Sequence, residues 1–294
     1  MSLLSSPQGT PERIWSLIGG LAALGGSVPR GDYDALLNPG YVREGMDVQA
    51  KDTLAGDSHS AIKSLAITEV TDGEIRLTIE PPATAQVFAD QVHDLLLSPA
   101  NDSDAVILEA YASLLTACDA KGGAEWIFET GRPDQANALN EGLAGGSGNE
   151  MNATKMASWQ RWLGFLGLGT ATPLVQDSTD FPSPARRIAR ELERAEFATG
   201  TSLSASDFAA LLAQRMPYLD GGKLFVQACQ RRGHSSTPGR LSPLVSAALR
   251  DLHDSQMIRL VPTGDAAGIL RLTEDDTHPI SAFATAIIFP EASQ

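Results

Sequence analysis

The stretch "LSPLVSAALRDLHDSQMIRLVPTGDAAGILRLTED" (241–275) constrains the fold more than any other, because its apolar spacing changes period part-way along. Ser242-Pro243 reads as a helix cap followed by a first-turn proline. Leu244, Val245, Ala248, Leu249 and Leu252 then recur on one helical face. Beyond them "MIRLV" and "GILRLT" are short apolar runs flanking "PTGDAA", the pattern of two strands about a turn. Upstream, "SASDFAALLAQRMPYLDGG" is a Ser-capped helix stopped by proline, and "GKLFVQACQRR" is another. "GHSSTPGR" joins them to the third helix as a loop. Three helices closed by a hairpin is the order of a winged helix, a variant of the helix-turn-helix.

The same order occurs near the other end. Thr10-Pro11-Glu12 opens a first helix with a cap, a first-turn proline and an acid that suits the helix dipole. "GGSVPRGDYDALLNPG" gives a glycine stop and a short second helix with Tyr33, Leu36 and Leu37, and "SHSAIKSLAI" a third with Ile62 and Leu65. "TEV-TDG-EIRLTIE" then reads as strand, turn and strand, with Asp72-Gly73 as a type I′ hairpin signal. "RLT" falls in the closing strand both times, at Arg76–Thr78 and Arg271–Thr273. The linker "GYVREGMDVQAKDTLAGD" is longer than the motif needs.

Pro81-Pro82 marks a boundary. Beyond it "ATAQVFADQVHDLLLS" carries Val87, Val92, Leu95 and Leu96 at helical spacing, and "SDAVILEAYASLLTACDA" is a second helix. "EGLAGGSGNEMN" is a glycine-rich loop, "NATKMASWQRWLGFLGLG" a helix ended by glycine, and "PSPARRIARELERAEF" a proline-punctuated basic-acidic helix. The expected fold class is therefore mainly α with small β-wings (α+β). Winged helix-turn-helix modules at 1–82 and 201–294 flank a helical middle at 83–200, which has room for a further winged-helix-like unit.

The formal net charge of -14 argues against a chain that coats DNA, because phosphate neutralisation dominates nucleic-acid affinity. Cys118 and Cys229 lie far apart, which fits two buried thiols in a reducing compartment. "IWSLIGGLAALGGSV" (14–28) is too short to span a bilayer and has no basic segment before it. It reads as a buried first helix of a cytoplasmic protein without membrane contact.

Signals for chemistry are sparse. "LDGGKLF" has the Gly-Lys pair of a phosphate loop but neither its first glycine nor its hydroxyl residue, so it reads as a turn. "AGGSG" lacks the preceding strand of a dinucleotide fingerprint. The five histidines are scattered, with no spacing that would hold a metal. Ser235-Ser236-Thr237 beside His234 is adjacency in sequence, which is not the geometry of a triad. The expectation is a protein that is not an enzyme, with no cofactor and no bound metal.

Charge distribution says more. Residues 223–259 hold Lys223, Arg231, Arg232, Arg240, Arg250 and Arg259 against Asp251 and Asp254, a local excess of four positive charges. Arg231, Arg232, Arg240 and Arg250 are the candidate DNA-binding residues, since they flank or ride the third helix. Arg250 should point away from that helix's apolar face. The competing reading pairs these arginines with the chain's own acids, Asp275 and Asp276 among them. Asp52, Asp57, Asp72 and Glu74 make the N-terminal module better suited to a protein partner.

"SPQGTPERIWSLIGGLAALGG", "TKMASWQRWLGFLGLG…PSPARRIARELE" and "MPYLDGGKLF…GRLSPLVSAALRDLHDSQMIRLVPTGDAAGILRL" together resemble the DpdG family. Its members are encoded in bacterial clusters that insert 7-deazaguanine derivatives into DNA and restrict unmodified phage DNA. The resemblance implies an accessory component of antiviral defence without a known active site, working beside helicase, ATPase or nuclease subunits. The expected function is a non-catalytic adaptor with protein contacts and at most a weak DNA contact through the C-terminal module. The alternative is a winged-helix DNA-binding transcriptional regulator.

Overall fold

The computed structural model describes residues 3–37, 52–99, 104–145, 150–170, 181–262 and 268–289. The chain is mostly helical with small antiparallel sheets, the expected α+β class. It packs as two units: Met1–Ile107 with Ala157–Leu166, and Leu108–Met156 with Gly167–Gln294. The helical middle is thus shared between the two rather than standing as a third body.

In the first unit, α1 (Pro11–Ala23) starts at the proline after Thr10 and buries Ile14, Ile18 and Leu21. β1 (Ser27–Pro29), α2 (Arg30–Leu37) and α3 (Asp52–Ser64) follow. Tyr33, Ile62 and Leu65 are buried as the spacing predicts, whereas the side chains of Leu36 and Leu37 lie outside the described residues. So does most of the long linker, residues 38–51. β2 (Thr68–Thr71) and β3 (Glu74–Leu77) pair with Thr71 opposite Glu74, leaving Asp72-Gly73 as a two-residue loop. Both loop residues have positive φ, 53° and 79°, which is the type I′ geometry that only such a pair adopts without strain. β3 is the central strand, in the order β1-β3-β2, and its Ile75 is fully buried.

α4 (Ala85–Leu97) is capped by the Thr84 hydroxyl, which accepts from the Val87 amide at 3.1 Å. Its buried face is Phe88, Val92 and Leu96, with His93 beside them; Val87 and Leu95 are only half-buried. The apolar stripe is therefore rotated from the one predicted, because Phe88 takes the central position. It packs against Trp15 and Phe165, with ring centroids at 5.8 and 5.4 Å.

In the second unit, α5 (Val106–Lys121) is almost wholly buried. Two short helices that the sequence reading passes over follow it, α6 (Trp126–Glu129) and α7 (Arg132–Asn140). α8 (Ala153–Leu166), which from Ala157 onward belongs to the first unit, opens on Asn152, whose side chain accepts from the Lys155 amide, and stops at Gly167, where φ is +79°. The loop tip at 146–149 and the turn at 171–180 lie outside the described residues. α9 (Ala185–Arg194) is the basic-acidic helix. Its buried Glu191 accepts from Arg187 and Arg194 at 2.8 Å and from Arg215 at 3.2 Å, so one carboxylate ties α9 to the helix after it.

That helix is α10 (Ala205–Arg215), preceded by β4 (Thr201–Ser204) and capped by Ser204. α11 (Lys223–Arg232) begins after Gly222, where a Cβ would collide with the backbone of Pro217. Packing thus explains Gly222 of "LDGGKLF", while Gly221 has open space and a positive φ of 77°. α12 (Pro243–Asp254) buries all five predicted apolar residues. β5 (Ile258–Val261) follows, but it does not pair with "GILRLT". Its partner is β8 (Thr285–Ile288), which also pairs with β4, giving the order β4-β8-β5. Arg271 lies in β6 (Leu270–Arg271), which pairs with β7 (Ala282–Phe283). The second "RLT" therefore does not close the sheet, and the hairpin expected about "PTGDAA" is replaced by a longer excursion; residues 263–267 of that turn lie outside the described residues. The reason is burial: Ala286 and Ile288 of β8 are fully buried, so "TAII" is the better core strand.

Candidate functional site

The four arginines singled out from the sequence are all in the second unit, and each meets a group of its own chain. Arg232, at the end of α11, makes the most hydrogen bonds of the four. Its guanidinium donates to Ala138 O at 2.5 Å, Ser113 Oγ at 3.0 Å, Ser113 O at 3.3 Å and Thr116 Oγ1 at 3.3 Å, and it pairs with Glu141. Burial pulls its pKa below that of a free guanidinium, with Glu141 acting the other way. Gly142 lies against Ser113 so closely that a Cβ there would meet its hydroxyl, which keeps this recess narrow. Arg231 is exposed and reaches only Gly142 O, at 3.4 Å.

Arg250 is 5 % exposed. It faces the segment between β6 and β7 rather than solvent, donating to Thr273 O at 2.7 Å and Ile280 O at 3.1 Å, with Asp275 at 3.7 Å. Ser246 adds to the clasp, its hydroxyl accepting from the Thr273 amide at 2.9 Å and donating to Leu241 O at 3.2 Å. Residues 272–281 are thereby held along α12. The exposed residues left on that helix are Asp251 and Asp254. His278 lies 3.2 Å from Asp254.

Arg240 keeps 38 % of its side chain exposed and holds Asp119 Oδ1 at 3.3 Å. The other oxygen of the same buried carboxylate lies 2.7 Å from His234 Nε2. Nearby, Asp220 accepts from the Ser242 amide at 2.7 Å and from its hydroxyl at 2.6 Å, so the predicted cap of α12 is itself held by a carboxylate. Burial pushes the Asp220 carboxyl up to about 6, with Asp119 adding to the rise and Ser242 opposing it.

Neither Asp119 nor Asp220 stands out in the sequence, because each meets its partners across a long chain separation. The two cysteines are buried and unbridged. Burial pushes Cys118 up to about 12 and Cys229 to about 11, so both thiols stay protonated at neutral pH. Among the described residues no group of three His, Cys, Asp or Glu side chains could hold a metal ion, and no helix is long and apolar enough to cross a membrane. The geometry supplies donors for binding: Arg231, Arg240, His234 and the hydroxyl loop 235–237, gathered at one end of α5 and α11.

A family model described as DpdG-like matches residues 1–266. The chain belongs to the DpdG-like family. Membership ties it to the Dpd-type DNA-modification and defence setting implied by the sequence resemblance. No curated protein and no solved structure matches the chain. For this DpdG-like protein the roles of individual residues therefore rest on its own geometry.

Proposed function

We propose that this DpdG-like protein is a non-catalytic accessory subunit that assembles a Dpd-type phage-defence complex through two winged-helix modules. The first module is α1, β1, α2, α3, β2 and β3; the second is α9, β4, α10, α12, β5 and β8, with α11 inserted. In both, the first strand of the set lies on one side of the last and the middle strand on the other, the same order twice. Helix, strand, two helices and a closing strand pair is the winged-helix sequence of elements.

The observation that carries the adaptor reading is the state of α12. A DNA reader presents the last helix before the wing with basic side chains facing outward. Here that helix has its only arginine held by backbone carbonyls and leaves two aspartates exposed. A regulator would need the opposite. The N-terminal module exposes Leu24 and Val70 to more than half, with Glu69 and Asp72 close to Val70 in the chain, which suits a protein surface better than phosphate.

Affinity capture of the tagged protein from its native host, read by mass spectrometry, tests this. Helicase, ATPase or nuclease subunits of the same cluster should co-purify, and a Val70→Asp variant should recover less of them. Capture of the protein alone, together with nanomolar sequence-selective DNA binding, would replace the adaptor by the regulator.

A further inference from the structure

The strongest unassigned feature is a pair of arginines brought together by backbone pairing. Arg240 precedes α12 and Arg271 lies in β6, and an isolated parallel bridge sets them side by side. The Arg271 amide donates to Gly239 O at 2.8 Å, and the Leu241 amide donates to Arg271 O at 2.9 Å. Residues paired in this way project to the same face of a sheet. Arg271 is exposed and has no side-chain partner among the described residues, while Arg240 is held from below by Asp119 through one nitrogen only. Both side chains stay accessible, Arg240 with 38 % of its side chain exposed.

We infer that Arg240 and Arg271 form an anion-binding pair that takes two neighbouring backbone phosphates of a nucleic acid, one to each guanidinium. The inference goes beyond the adaptor reading, which concerns protein contacts, and it replaces the buried Arg232 and Arg250 with a cation that the sequence reading passed over. A phosphodiester fits better than a carboxylate for two reasons. A carboxylate is satisfied by one guanidinium fork, whereas two forks on paired neighbouring residues match successive phosphates of a nucleic-acid backbone. The adjoining loop also offers the exposed hydroxyls of Ser235 and Thr237, which can donate to phosphate oxygens without reading bases. Arg240 is already oriented by a buried carboxylate, so less side-chain freedom is lost on binding. In a chain of net charge -14 such a contact is local and weak, and it acts once a partner subunit or the second module holds the strand nearby.

The test is fluorescence anisotropy of a labelled random-sequence duplex with the full-length protein at 50 and 200 mM salt. Wild type should bind in the micromolar range, with a log–log salt slope of roughly -2 for two phosphate contacts. Arg240→Ala/Arg271→Ala should weaken binding at least ~10-fold at low salt and flatten the slope by about 2. Arg132→Ala/Arg186→Ala removes the same charge from other exposed positions of this unit and should change affinity by less than about twofold. Arg271→Ala alone leaves the Asp119 contacts intact, and should flatten the slope by about 1 even if the double variant misfolds. Wild type that fails to saturate below about 100 µM at 50 mM salt would overturn the inference. So would an Arg271→Ala variant that binds as wild type does, an equal loss in the Arg132/Arg186 control, or a polyglutamate peptide that competes as well as the duplex. None of these outcomes depends on which proteins co-purify.

Discussion

The two three-stranded sheets of this protein share a strand order and differ in how they close. In the N-terminal unit the closing strand follows its neighbour after two residues, Asp72 and Gly73, and nothing intervenes. In the C-terminal unit the closing strand β8 arrives only after the chain has left β5, made the β6–β7 pair and run along α12. The insertion changes what the unit can do. It lays the segment 272–281 along α12, with Arg250 as the clasp, and it carries Arg271 to the side of Arg240. Similar strand order therefore does not imply similar surfaces: one unit keeps a simple β2–β3 hairpin, while the other covers part of α12 with the inserted segment.

The sharpest way to break that comparison is Arg250→Ala. Removing the buried guanidinium leaves the carbonyls of Thr273 and Ile280 without their donor, and unfolding in denaturant should show a loss of about 3–5 kcal/mol. The counterpart in the N-terminal hairpin, Arg76→Ala, removes an exposed pair with Glu74 at 3.2 Å. It should cost less than about 0.5 kcal/mol. Equal effects at the two positions would mean that the segment 272–281 is not what holds α12 in place.

Asp220→Asn should act in the opposite direction and depend on pH. The folded carboxyl titrates near 6 against an ordinary 3.8, so the stability it confers when protonated is complete below about pH 3.8 and is lost as pH rises through 6. Asparagine can keep both bonds to Ser242 without the buried charge. The variant should therefore exceed wild type by about 2–3 kcal/mol at pH 8 and converge with it near pH 4, a difference that thermal melts across that range would display. A constant offset at every pH would show that Asp220 is charged in the folded protein throughout.

Gly73→Ala probes the β2–β3 hairpin. The site has φ of +79° and open space around it, so the cost is backbone strain alone, about 1 kcal/mol. Gly222→Ala should cost more, because its Cβ meets the fixed backbone of Pro217. The smallest effect is expected from Asp72→Asn, which retains a residue that tolerates positive φ and should leave the melting temperature within a degree or two.

Much of the architecture was legible in local signals. Thr10-Pro11, Ser204 and Ser242-Pro243 mark helix starts, and Asp72-Gly73 marks the hairpin, because helix-start signals and two-residue turns depend on neighbours only a few residues away. The five apolar residues of α12 were legible for the same reason, since a period of 3.6 residues needs no distant partner. Tertiary structure alone decided which strand closes the second sheet, where the arginines go, and how the middle helices divide between the units. "GILRLT" and "TAII" are both acceptable strands in isolation. The choice between them comes from which can bury its inward residues against α10 and α12. A guanidinium likewise carries no local mark of its fate: Arg232 meets Ser113 and Ala138, and Arg250 meets Ile280, only once distant segments pack. The exposed pair at Arg240 and Arg271 owes its existence to one backbone bridge between positions 31 residues apart, and no spacing rule reads across that gap.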